Sequence, residues 1–148
     1  MTFDLAADPA LATAIAGARE QVCGLHAALA GRGLVAWTSG NVSARVPAAT
    51  GDLLVIKPSG VAYADLTPES MVVCDLDGTP VDGEYQASSD TAAHAYVYRH
   101  MPGVGGVVHT HSPYATSWAA VSLEAWYSPS TGAPSRSQTT IDSGVRSA

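Results

Sequence analysis

Cationic residues are scarce: seven lysines and arginines stand against 13 aspartates and glutamates, for a net charge of -6 in 148 residues. Binding along a nucleic-acid backbone needs clustered cations, so this shortage excludes nucleic acid as a partner and restricts any bound phosphate to a small, locally cradled one. Long apolar runs are also missing. None approaches the ~20 residues that span a bilayer, and residues 1–30 lack a basic segment leading into an unbroken apolar stretch, the first basic residue being Arg19. The expectation is a cytoplasmic protein with no membrane partner. Cys23 and Cys74 are the only cysteines, far apart in the chain and without a Cys-x-x-Cys pair. They read as small buried hydrophobes rather than as a disulfide or a thiolate metal site. No internal repeat with a period of about 20–50 residues is visible.

What is present describes one folded domain. The hydrophobic content is 47% and the charged content 14%, and a chain of this length buries roughly 68–70% of the surface that its unfolded form exposes. Asp8-Pro9 offers an N-cap with proline at the first helical position. Leu11, Ile15, Ala18, Val22, Leu25 and Leu29 then recur at helical spacing as far as Gly31-Arg32-Gly33. His26 lies beside that stripe and reads as a partly buried packing residue. Leu53–Ile56 and Met71–Cys74 read as strands, with Asp77-Gly78 as a hairpin turn into Val81. Ser88-Ser89-Asp90 looks like the cap of a second helix running to about His100. Gly106–His111 reads as a short strand, and Ser112-Pro113 restarts a helix to about Val121.

From Ser128 onward the composition changes to Ser, Thr, Gly and Pro, with Ala133, Ile141, Val145 and Ala148 as the only other apolar residues. Residues 1–127 are therefore expected to form the folded part, and 128–148 a disordered or non-native tail.

His109 and His111 sit two apart on the last strand, so both imidazoles face the same way and can grip one cation. Asp90 could add a carboxylate oxygen, although Asp at a helix start is favoured by the helix dipole alone. Ser39-Gly40-Asn41, Lys57-Pro58-Ser59-Gly60 and Ser88-Ser89 each combine small residues with hydroxyl or amide donors, as suits an anion. Each is an ordinary turn or cap by itself; three in one small domain point to a phosphate.

Four segments in order, Thr38–Ala44, Val55–Val61, Ser88–Thr91 and Val107–Ser112, resemble the class II aldolase and adducin family over roughly residues 17–121. The resemblance implies an α/β fold with a central, mainly antiparallel sheet flanked by helices, C-terminally incomplete here. It implies Asp90, His109 and His111 as ligands of Zn2+ or another divalent metal such as Mn2+, and Gly40, Asn41, Ser59, Gly60, Ser88 and Ser89 as holders of a substrate phosphate. Lys57 before Pro58, and Asp90 where fuculose-phosphate aldolases carry Glu, point to the L-ribulose-5-phosphate 4-epimerase branch. In that branch the metal polarises the ketone and hydroxyl oxygens, the C3–C4 bond breaks, the aldehyde fragment turns, and the bond re-forms with C4 inverted. The alternatives are a fuculose-phosphate type aldolase, an adducin-like interaction module and an inactive fragment. Relatives also carry a third metal-binding His and an acid/base Asp and Tyr beyond the point corresponding to about Val121, and they assemble as homotetramers with sites between subunits. No counterpart of those residues is assigned here, so the catalytic acid and base are unknown.

Overall fold

The computed structural model describes residues 7–118. Helix α1 (Pro9–Gly31) opens as its sequence dictates, with the Asp8 carboxylate accepting the Leu11 amide proton at 2.9 Å. It closes on Gly33, whose φ of 64° lets the Leu34 amide turn back to the Leu29 carbonyl. Leu11, Ile15, Ala18 and Val22 are buried along one stripe, but Leu25 is not: it is 43% exposed and His26 occupies the buried position instead. His26 is thus more than a packing residue. Its Nε2 accepts the Val42 amide proton at 3.0 Å, and Nδ1 lies 2.7 Å from the Val22 carbonyl, tying α1 to the first strand.

Five strands, β1 (Asn41–Val46), β2 (Leu53–Ile56), β3 (Val72–Asp75), β4 (Pro80–Asp82) and β5 (Gly106–His109), form one sheet in the order β4-β3-β2-β1-β5. All four pairings are antiparallel. Short 3-10 turns at Tyr63–Asp65 and Pro68–Ser70 bridge β2 and β3, and Asp75-to-Thr79 turns the chain into β4 with Gly78 at φ 88°. Helix α2 (Thr91–His100) carries the chain from β4 at one edge to β5 at the other.

Alternation along the strands splits the core in two. Leu53, Val55 and Val73 join the α1 stripe on one face, while Leu54, Ile56, Val72 and Cys74 meet Ala95 and Tyr98 of α2 on the other. Burial on both faces explains why β2 reads as an unbroken apolar run. Cys23 and Cys74 are free thiols, and burial pushes the Cys74 pKa up to about 11.

Several points differ from the sequence expectation: β1 forms in a stretch for which no strand was expected, and the strand expected at Met71–Cys74 runs from Val72 to Asp75. The last strand ends at His109 rather than His111, because the His111 amide leaves the ladder and donates to the Leu34 carbonyl at 2.9 Å. Asp90 precedes α2 but makes no capping bond; Ser88 does that work, its Oγ accepting the Asp90 amide proton and its carbonyl accepting the Thr91 amide and hydroxyl protons. A further helical segment covers 113–118, with Ser112 Oγ accepting from Ala115 N–H. Its expected continuation to Val121, and the 128–148 tail, lie outside the described residues. Among the described residues no helix is long and apolar enough to cross a membrane.

Candidate active site

One end of the sheet gathers four segments around a cavity of about 410 Å³. The stretch entering β1 brings Thr38, Ser39, Gly40 and Asn41; the turn after β2 brings Lys57, Ser59 and Gly60; the start of α2 brings Ser88, Ser89 and Asp90; and the end of β5 brings His109 and His111. All nine residues singled out in the sequence therefore line one wall or another of the same space. A larger hollow, about 510 Å³, lies between α1 and Pro68-Glu69. It contains no histidine or hydroxyl residue, and its arginine, Arg19, is paired with Asp82 at 2.7 Å, so the smaller cavity is the chemical one.

Backbone contacts hold the segments together. Ser59 N–H donates to the Gln86 carbonyl at 2.8 Å and Ser88 N–H to the Lys57 carbonyl at 3.1 Å, which locks the β2 turn against the start of α2. The Tyr63 hydroxyl reaches the Ser39 and Gly40 carbonyls at 2.9 and 2.8 Å, fixing the β1 entry. Gly40 is obligatory there. Its φ is 80°, and a Cβ would stand 2.6 Å from Val35 Cγ1 and 2.9 Å from the His109 carbonyl oxygen. Trp37, just before this segment, also has a positive φ of 56° while 93% exposed, a backbone conformation that a bulky residue rarely adopts.

The polar centre of the cavity is Asp90. Asn41 and His109 are directly opposite across the β1–β5 ladder, and both reach one oxygen: Asn41 Nδ2 donates to Asp90 Oδ2 at 2.7 Å and His109 Nδ1 lies 3.0 Å from it. Burial works to raise the Asp90 pKa, but the Asn41 and His109 hydrogen bonds, with the nearby histidine charges, outweigh it and hold the carboxyl below its ordinary value. Asp90 is therefore an anion, and His109 donates Nδ1–H to it. The His109 and His111 ring centroids are 4.9 Å apart.

Lys57 is the only lysine in the chain, and it is 2% exposed. Its ammonium donates to the Pro58 carbonyl at 3.0 Å and lies 5.6 Å from the Tyr63 ring centroid, and among the described residues no carboxylate is in salt-bridge contact with it. Burial lowers its pKa, and the Asp90 charge opposes that shift. A buried ammonium without a direct anionic partner, among hydroxyls and backbone amides, is a site prepared for an anion.

Comparison with known proteins agrees with this geometry. The family model of the class II aldolase and adducin N-terminal domain matches residues 20–142. The chain belongs to the class II aldolase and adducin family. The matched span reaches beyond the four motifs and past Val121. Among solved structures, an L-fuculose 1-phosphate aldolase is 27% identical with a TM-score of 0.64, over 71% of this chain and 49% of that one. L-fuculose-1-phosphate aldolase from Thermus thermophilus is 32% identical over 72% and 50%, with a TM-score of 0.55. YgbL from Klebsiella pneumoniae, a candidate aldolase/epimerase/decarboxylase, is 31% identical over 68% and 47%, with a TM-score of 0.61. The chain spans about half the length of these structures.

Membership of this family raises the question of a divalent metal. Among the described residues no three His, Cys, Asp or Glu side chains stand close enough together to hold an ion as they lie. Asp90 and His109 are instead bonded to each other. The donor chemistry nevertheless fits, since a carboxylate oxygen and two imidazole nitrogens are ordinary zinc ligands. Among the described residues Asp90 Oδ1 and His109 Nε2 take no protein hydrogen bond, which leaves one donor atom on each side chain uncommitted.

The sequence places Lys57 in an anion-suited motif and marks one branch of the family with it, but assigns no site role to the groups behind the cavity wall, Ser43, Tyr63, His94 and Tyr98. Two of them carried a readable signal: Ser43 shares a strand face with Asn41, and His94 follows Asp90 by one helical turn.

Proposed function

We propose that this cavity binds a sugar phosphate and a divalent metal, and that its chemistry is cleavage and re-formation of a carbon–carbon bond, as in L-ribulose-5-phosphate 4-epimerases. The observation that carries the reading is Lys57, a lone buried ammonium in the same 410 Å³ cavity as an ionised Asp90 and the two histidines. One cavity thus offers a cationic subsite for a phosphate or a substrate oxygen and a separate anionic subsite for a metal.

Gly40, Asn41, Ser59, Gly60, Ser88 and Ser89 cradle the substrate, the serines and backbone amides meeting the phosphate at the start of α2. Asp90, His109 and His111 hold the metal, Zn2+ or Mn2+, which when bound supplies Lewis-acid stabilisation of the oxyanion beside the breaking bond. The phosphate contacts keep the aldehyde fragment, which carries the phosphate, in the cavity while its carbonyl turns, so that the bond can re-form with the opposite configuration. No described residue is assigned as the general acid or base. A homotetramer whose neighbouring subunit completes the site is the assembly that accompanies this reading.

An aldolase of the fuculose-phosphate type is the second reading, favoured by L-fuculose-phosphate aldolases at 27% and 32% identity among the similar structures. The test offers L-ribulose 5-phosphate and L-fuculose 1-phosphate side by side with Zn2+, to the wild type and to Lys57→Ala. Epimerisation of the pentulose phosphate that is lost in Lys57→Ala is expected. Cleavage of fuculose phosphate alone would replace the epimerase with the aldolase. Neither turnover nor thermal protection by either sugar phosphate would reject both.

A further inference from the structure

Strand β1 and helix α2 are joined by a polar seam of three rungs. Asn41, Ser43 and Arg45 alternate onto one face of β1, while Asp90, His94 and Tyr98 succeed one another by single turns of α2. Two strand residues advance about 6.7 Å and four helical residues about 6 Å, so the two series stay in step. Asn41 Nδ2 bonds Asp90 Oδ2 at 2.7 Å, Ser43 Oγ bonds His94 Nδ1 at 2.7 Å, and the Arg45 guanidinium binds the Tyr98 carbonyl and lies 5.0 Å from the Tyr98 ring centroid. Ser43 Oγ also lies 2.7 Å from the Tyr98 hydroxyl. Among the described residues, the buried side-chain atoms without a hydrogen-bond partner are Asn41 Oδ1, His94 Nε2 and Arg45 Nε, one on each rung.

Counting protons settles the direction of these bonds. Tyr98 and Ser43 each own one hydroxyl proton, and both are buried. The Val107 backbone bond to the Tyr98 hydroxyl favours the phenolate and so comes from a donor; if His94 Nδ1–H donated to Ser43 as well, one of the two hydroxyl protons would have no acceptor among these groups. Only Tyr98 donating to Ser43, and Ser43 donating to His94 Nδ1, uses both. His94 is then neutral with its proton on Nε2. His94 Nε2–H is thus a buried donor, and on the neighbouring rung Asn41 Oδ1 is a buried acceptor. Neither meets a protein partner among the described residues, and a donor and an acceptor buried in this way are what an ordered water satisfies.

We propose that Tyr98, Ser43 and His94 form a one-directional hydrogen-bond relay that continues through a single buried water to Asn41 and ends on the Asp90 carboxylate, making His94 a positioning residue of the cavity. Each donor faces Asp90, so each bond polarises the next. The relay also fixes the Asn41 amide with its Nδ2 toward Asp90. Its bearing on metal affinity rests on the proposed function; its existence does not.

Histidine 15N NMR of the whole 148-residue protein without metal is expected to show His94 neutral and protonated at Nε2, whereas an Nδ1–H tautomer would overturn the relay. Hydrogen exchange of the Asn41 side-chain amide is expected to quicken at least tenfold in His94→Leu. It should be restored in His94→Gln, whose carbonyl can accept from Ser43 and whose amide can donate onward; unchanged exchange in His94→Leu would also overturn the relay. If His94→Leu does not fold, the wild-type tautomer decides. Co2+ affinity should fall about tenfold in His94→Leu and recover in His94→Gln. A wild type that takes up no more Co2+ than His109→Ala would count against the metal reading, and the tautomer would still decide the relay.

Discussion

Acidification should strike this fold first at His26. The ring is fully buried, with Nδ1 beside the Val22 carbonyl and Nε2 accepting from the Val42 amide. A carbonyl can only accept and an amide N–H can only donate, so the neutral Nδ1–H tautomer alone satisfies both. A second proton would set Nε2–H against Val42 N–H where no water can intervene. Burial is the main reason that the pKa falls from 6.5 to about 4; the Val22 carbonyl opposes it, and the Lys57 and His94 charges add to it. The unfolded chain takes up the proton below about 6.5, while the folded chain resists until about 4. Between those values the unfolded state binds one more proton, so stability rises with pH by about 1.4 kcal/mol per unit. The contribution is whole above pH 6.5 and is lost as the pH falls to about 4, a total of about 3 kcal/mol. Urea unfolding of wild type and His26→Gln between about pH 7 and pH 4 isolates it, because His94 and the carboxylates titrate in both proteins. The advantage of the wild type should shrink by about 3 kcal/mol over that range. A difference that does not change with pH would refute the argument.

Other perturbations follow from single contacts. Asp8→Ala removes the acceptor for Leu11 N–H and should cost about 1 kcal/mol in chemical denaturation; a loss below a few tenths would deny the cap a role. Gly40→Ala combines a left-handed backbone with a Cβ 2.6 Å from Val35 Cγ1, and should destabilise by about 3 kcal/mol. A melt within a degree of wild type would contradict the packing described. Tyr63→Phe frees the Ser39 and Gly40 carbonyls, which should cost about 1–2 kcal/mol and weaken protection by inorganic phosphate in thermal melts. Undiminished protection would detach this segment from the anion site.

Much of this arrangement can be read from the chain because it rests on local rules. Asp8-Pro9, the stripe from Leu11 to Val22 and the short apolar runs of β2 and β3 follow from capping, periodicity and composition, and each appears in the structure. Leu25 and His26 exchange roles because the position facing β1 needs a side chain that bonds to the Val42 amide, which periodicity of apolar residues does not report. The strand through His109 stops short of His111 because Leu34, far away in the chain, supplies an acceptor. The candidate site residues were legible as short motifs, but their convergence was not. It depends on the bridge between Lys57–Ser59 and Gln86–Ser88 and on the facing of Asn41 and His109 across the sheet. Lys57 lay within a quoted motif, yet only the fold shows that its ammonium is buried without a direct carboxylate partner.

The central claim is that Asp90, His109 and His111 hold one divalent metal beside the anion subsite. Zinc content and affinity, measured on the purified 148-residue protein and on Asp90→Ala, His109→Ala and His111→Ala, test it most directly. The account predicts one zinc per chain in the wild type, and affinity at least tenfold lower in each variant while the thermal melt shows that the fold is retained. Equal zinc binding in all four proteins would contradict it.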